Sequence, residues 1–298
     1  MRALSFHLSR SYLPALSVVA GIGTFSAMDA AIKSASIATG VLTALLLRNV
    51  FGTLLVIPLW LAIGHPLPGR TALRVHAQRS TIAAAMAALF FYGIVRIPLA
   101  EGIAISFVAP IMALYFAAIM LGEKIRRQAI AGAVLGLIGV LAIAAGRTGA
   151  GTYSEEAIKG TGAILCSAVL YAVNLVLQRK QALLAGPIEI ALFQNGMVAA
   201  IFLIFSPWFL TWPDTSSLWM ILAGAVMATS AMLFLSWGYA RAEAQELVPI
   251  EYTAFLWAAL FGWLMFSERV GAATLAGAAF IMFGCWIAVQ KRRTQTVI

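Results

Sequence analysis

The strongest constraint on this chain is that it carries nearly the same apolar segment twice, at an offset of 145 residues. Residues 101–142 read EGIAISFVAPIMALYFAAIMLGEKIRRQAIAGAVLGLIGVLA, and residues 246–288 read ELVPIEYTAFLWAALFGWLMFSERVGAATLAGAAFIMFGCWIA. At that one offset Glu101 falls on Glu246, Phe107 on Tyr252, Glu123 on Glu268, Lys124 on Arg269, Gly132 on Gly277 and Gly139 on Gly284. A repeat of this length is one structural unit used twice. Neither copy is polar enough to fold in water with an ordinary solvated face.

The composition extends that reading to the whole chain. Of 298 residues, 62% are hydrophobic and 10% are charged, with a mean hydropathy of +0.94. A helix spanning a bilayer needs about 20 apolar residues. The chain divides into ten such pieces, at 13–32, 39–63, 78–96, 99–121, 128–146, 160–179, 187–210, 217–240, 245–266 and 271–290. The gaps hold the turn formers and charges, as in His65-Pro66-Leu67-Pro68-Gly69-Arg70 and Trp212-Pro213-Asp214. The expected fold is an all-α membrane protein of ten transmembrane helices. The two halves, 1–147 and 148–298, carry five helices each.

The net charge of +9 would suit a nucleic-acid partner, but its distribution argues for a lipid bilayer. With the N-terminus inside and ten alternating helices, fourteen Lys and Arg fall on inner ends and loops, five on outer ones, and Arg48 within a helix. That is the positive-inside pattern, and it places both termini in the cytoplasm. Because five is odd, the second half sits upside down relative to the first. Two inverted repeats that exchange conformations would open a central site to one side and then the other. The N-terminal apolar run reads as a retained first helix rather than a cleaved signal peptide.

Polar residues within spans are costly and mark candidate sites. Ser167, Tyr171, Asn174 and Gln178 share one face of the sixth helix. Ser26, Asp29 and Lys33 occupy the positions of the first helix that match Tyr171, Asn174 and Gln178. Such stripes line a cavity or hydrogen-bond to a neighbouring helix. In the second and seventh helices Arg48-Asn49 falls on Gln194-Asn195. Arg48 is deep enough to need a carboxylate, and Asp29 and Glu101 are the candidates in its half of the membrane. Glu101 and Glu246 open the fourth and ninth helices, where the helix dipole favours a carboxylate. Glu251 lies a turn further in and is a candidate for proton coupling or for an amine. Tyr92, Phe107, Trp237, Tyr252 and Trp257 could form the aromatic walls of a pocket, or an interfacial belt. Pro110 and Pro249 could act as hinges, and the glycines of the fifth and tenth helices indicate close packing.

The paired helix ends Met120-Leu121-Gly122-Glu123-Lys124 and Met265-Phe266-Ser267-Glu268-Arg269 are each followed by a Gly-rich helix. On those residues the chain resembles the drug/metabolite transporter superfamily, in its ten-helix EamA-type branch. The resemblance implies a basket of eight helices around a central cavity, with the fifth and tenth outside. It implies export of amino acids or related metabolites across a bacterial inner membrane. The aromatic and neutral amino-acid exporters are the most similar branch. A nucleotide-sugar, sugar-phosphate or drug carrier of the same fold is the alternative. No cofactor or metal site is expected. A membrane-embedded enzyme is disfavoured by the lack of HExxH, GxSxG or paired intramembrane aspartates, and His7, His65 and His76 read as tail or loop residues. No phosphate loop is present, so a gradient, possible proton coupling included, would supply the drive.

Overall fold

The computed structural model describes residues 3–64, 67–109, 112, 115, 116, 119, 127–148, 154–239, 241 and 253–289. Among these residues there are ten helices and no strand. They are α1 (Ala3–Thr39), α2 (Val41–Ile63), α3 (Arg70–Ile94), α4 (Leu99–Ser106) and α5 (Arg127–Thr148), then α6 (Glu155–Ala182), α7 (Pro187–Phe209), α8 (Thr215–Tyr239), α9 (Ala254–Phe266) and α10 (Ala272–Val289). One helix occupies each span read from the sequence. Among the described residues, five stretches are long and apolar enough to cross a membrane: Leu13–Thr39, Val41–Ile63, Glu155–Gln178, Pro187–Phe209 and Thr215–Leu235.

Local chemistry sets the helix boundaries. Gly40, with φ 86°, breaks the chain between α1 and α2. Gly64 ends α2 in the left-handed conformation that glycine adopts at no steric cost. The Ser154 hydroxyl accepts a hydrogen bond from the Ala157 amide and caps α6, whose first turn carries Glu155 and Glu156. Pro187 occupies the first turn of α7, where its missing N–H costs nothing. Asp214 accepts from the amides of Ser216 and Ser217 and caps α8.

Three starts differ by several residues from the sequence reading, one of them that of α6, at Glu155 instead of residue 160. The first helix begins at Ala3, not at residue 13, and the third begins at Arg70, not at residue 78. In α3 the basic run after Gly69 contains no breaker, so the helix extends back to Arg70, directly after Pro68-Gly69.

Most of the packing is between a helix of the first five and one of the last five. The principal contacts between the first five helices and the last five are α5 with α10, α1 with α8, α3 with α6, α2 with α7, α3 with α7, α2 with α8, α1 with α9, α4 with α6 and α4 with α9. Exchanging each helix with the one five places along leaves this set of nine pairs unchanged. Among the described residues, α5 packs mainly on α10. In that seam a Cβ on Gly139 would lie 2.5 Å from the Gly277 carbonyl oxygen, and a Cβ on Gly277 would lie 2.5 Å from that of Gly139. Gly284 meets the Gly132 carbonyl in the same way. Glycine is required there because the backbones themselves touch.

The apolar core takes side chains from all ten helices, with Ile32, Leu45, Ile94, Leu99, Ile105, Ile164 and Ile221 fully enclosed. Large apolar side chains on the outer faces, such as Leu203, Ile204, Leu233 and Leu256, are exposed. An apolar belt of this kind suits lipid contact.

Candidate functional site

Polar side chains are tied together at both ends of the bundle, with a third group between. At the first end α1 finishes, α4 begins and α9 finishes. Lys33, 3% exposed, forms an ion pair with Glu268 and donates to the Ile97 carbonyl at 3.1 Å. The other Glu268 oxygen accepts from the Leu99 amide at 2.7 Å, which satisfies an otherwise orphaned N–H at the start of α4. The Lys33 ammonium also lies 4.7 Å from the centre of the Phe266 ring. Glu101 is within electrostatic reach of Lys33 and accepts from the Thr274 hydroxyl.

The backbone aims Glu268 at this position. Helix α9 ends with Ser267 in the left-handed conformation, φ 55°, and the Glu268 amide donates back to Gly262 O at 3.1 Å. A left-handed residue after a helix is ordinarily glycine. The first half has Gly122 at the matching place, which lies outside the described residues.

In the interior, Asp29 on α1 and Arg48 on α2 act on each other electrostatically without reaching ion-pair distance. Arg48 donates to the Met28 sulfur at 3.5 Å. Among the described residues Asp29 accepts no hydrogen bond. On α7 the Gln194 Oε1 is buried and has no hydrogen-bond partner.

At the second end α3 begins, α6 finishes and α7 begins. Arg79, 8% exposed, donates from Nε to Asn174 Oδ1 at 3.1 Å and from its terminal nitrogen to Gln181 Oε1. The Gln181 amide nitrogen meets His76 Nδ1, and His76 Nε2 lies 3.0 Å from Glu189. The imidazole is fully buried and stacks on Phe193, with ring centres 5.0 Å apart. Tyr171 lies within electrostatic reach of Arg79.

This end corrects two readings of the sequence. His76 is not a loop residue but belongs to the buried face of α3, with Arg79, Ser80, Ala83 and Ala84. Arg48 is therefore not the one cation within the bundle. The polar stripe on α6 faces α3: Ser167 donates to Met86 O, and Asn174 meets Arg79, while Gln178 is exposed. Cys166, on the same helix, is exposed.

The aromatic candidates do not converge on one pocket. Tyr92 lies under the Arg96 guanidinium, 3.5 Å from the ring centre. With Ser36, Thr43, Arg96 and Phe209 it lines a cavity of about 310 Å³ near the first end. Phe107, at the end of α4, packs on the core. Trp237 is 39% exposed and carries Arg241 over its ring. Trp257 packs on Val18 and Ile22 and stacks on Phe261. Tyr252, Glu246 and Glu251, with Pro110, Pro249 and Glu123, lie outside the described residues.

The EamA-like transporter family matches this chain at residues 13–145 and again at 158–290. The chain belongs to that family. It is thus a membrane protein of a transporter family, as its apolar helices require. It is 29% identical over 273 residues to the pseudopaline exporter CntI of Pseudomonas aeruginosa, covering 91% of this chain and 93% of that one. It is 24% identical to a riboflavin transporter of Brucella anthropi, covering 89% and 94%. It is 26% identical to the aromatic amino acid exporter YddG of Ancylobacter novellus, over 55% of this chain and 58% of the relative. The names share transport of a small molecule and differ in the molecule.

Proposed function

We propose that this chain is a secondary exporter of aromatic or neutral amino acids, or of related amphipathic metabolites, across a bacterial inner membrane. It works by alternating access of two inverted five-helix repeats, 1–147 and 148–298, with both termini in the cytoplasm. The observation that carries this reading is the helix pairing, which is unchanged when the halves are exchanged. Each half packs on the other through equivalent helix pairs, so a motion available to one is available to its counterpart. The first end, closed by Lys33 and Glu268, then faces outwards. The second end, closed by Arg79, Asn174 and Gln181, faces the cytoplasm.

Between the two ends, substrate meets groups not saturated by the protein. Asp29 and Arg48 offer opposite charges that do not contact each other, as a zwitterion would require. Gln194 offers an unpartnered acceptor. Asn174 has given its oxygen to Arg79, and its amide nitrogen donates to none of the described residues. Tyr171 shares that wall. Glu101, Glu246 and Glu251 remain candidates for gating or coupling. The named relatives support a substrate with a flat or apolar part and polar groups.

The test is flux in proteoliposomes with labelled phenylalanine, tryptophan, threonine, methionine and riboflavin, with and without a pH gradient. Saturable uptake of an amino acid, lost in Asn174→Ala, supports the reading. Uptake of riboflavin alone moves the substrate to other amphipathic metabolites, and no flux of any solute counts against export of these classes.

A further inference from the structure

The hydrogen-bond polarity at the second end fixes the protonation of a buried histidine. Arg79 has donors only. The Gln181 atom that faces it must therefore be the amide oxygen, which leaves the NH₂ group facing His76 Nδ1. This holds whichever way the amide is drawn, because the reverse placement would set N–H against N–H. His76 Nδ1 is consequently an acceptor without a proton, and Nε2–H donates to Glu189 Oε1.

A proton added to Nδ1 cannot coexist with this arrangement. It would place an N–H donor against the Gln181 NH₂. If Gln181 turned to offer its oxygen to the imidazolium, its NH₂ would then face the Arg79 guanidinium. Either way the Arg79–Gln181 link breaks, and with it part of the clamp that holds the start of α3 on the end of α6. The charged groups that face this cluster are Glu189 on α7 and Arg79 on α3. Tyr171 on α6 acts through Arg79. Arg74 and Lys180, the nearest other cations along these helices, are exposed.

We propose that His76 is a proton-binding site whose occupation releases Arg79 from Gln181 and opens the second end of the bundle. The proton goes to Nδ1 and forms the one new covalent bond, the Nε2–H bond to Glu189 stays, and the hydrogen bonds that Gln181 makes to Nδ1 and to Arg79 are not kept together. The proposal rests on the alternating-access reading for its role in export, since it would couple a proton to the opening of the cytoplasmic end. The switch itself does not need that reading.

The experiment uses two substrate-independent readouts on the purified full chain. Isotope-labelled histidine in a His7→Gln, His65→Gln background leaves His76 as the one imidazole, because the chain has three histidines. Spin labels at the exposed Thr71 and Leu183 report the distance between the start of α3 and the end of α6. The expected result is a neutral Nε2–H tautomer at high pH and a doubly protonated ring at low pH. A longer-distance population should appear over the same pH range, and it should be absent in His76→Gln. Gln181→Leu should show the longer distance at all pH values. A ring that stays neutral wherever the protein is folded overturns the proposal. So does protonation without a distance change, or a pH-dependent distance that persists in His76→Gln. Failure of the export reading would show separately, as absent flux in proteoliposomes with the titration and distance change intact.

Discussion

Lys33 and Glu268, 235 residues apart, form a buried ion pair, and the second oxygen of Glu268 holds the first amide of α4. One carboxylate thus ties α1, α4 and α9. Removing one partner of a buried pair leaves the other charge without compensation. Lys33→Met should lower stability by roughly 3 kcal/mol, and adding Glu268→Gln should restore part of that loss. Thermal unfolding in detergent reads both. Equal losses in the single and double variants would mean that the uncompensated charge is not the cause.

Ser267 holds a left-handed conformation that costs a non-glycine residue about 1 kcal/mol. Ser267→Gly should therefore stabilise the chain by up to about that amount. Gly64→Ala, at the left-handed end of α2, should destabilise it by a similar margin. The shift in unfolding midpoint of each variant decides the point, and opposite signs are expected.

The α5–α10 seam leaves no room for a side chain. Gly139→Val should cost about 2 kcal/mol or more, since its Cβ would fall against the Gly277 carbonyl and Ile281. Gly162 on α6 faces open space, so Gly162→Ala should be neutral or stabilising by about 0.5 kcal/mol. Folded yield and unfolding midpoint of the pair separate a packing requirement from a general intolerance of glycine replacement.

Asp214 lies ahead of α8, and hydrogen bonds from Ser217, then Ser216, hold its carboxyl below the ordinary value of 3.8. A group whose folded value is depressed contributes stability above the unfolded value and loses it as pH falls through the folded one. The start of α8 should hold through neutral and mildly acidic pH and fray only below about pH 4. Amide exchange at Ser216 and Ser217 should accelerate in that window, and Asp214→Ala should show fast exchange at every pH.

The helical spans were legible because each is an apolar run closed by Pro, Gly or charge. The start of α3 was not, because a basic run looks like a loop when only charge is counted. Periodicity could have found it: His76, Arg79, Ser80, Ala83 and Ala84 recur at helical spacing on one buried face, while Arg70 and Arg74 are exposed. Asn174 was legible as a polar residue on a striped face. Its partner was not, since a stripe does not say which helix it meets. Gln181 lies seven residues beyond Asn174 on the same face, so the stripe extended further than its reading. The Asp29–Arg48 opposition was readable from the rarity of charge within spans, but its spacing is a matter of packing. Aromatic residues carried little information, because a ring such as Trp257 serves helix packing as readily as a pocket.

The glycine seam bears on how such a chain could arise. Gly139 meets Gly277 as Gly284 meets Gly132, so both sides of the seam are written by equivalent positions. A surface that is its own complement can close between two unlinked copies of one half, inserted in opposite orientations. Fusion then fixes the ratio at one to one and frees each copy to drift. The lysine at 33 where the other copy keeps Gln178, and the serine at 267 where it keeps Gly122, are the marks of that freedom.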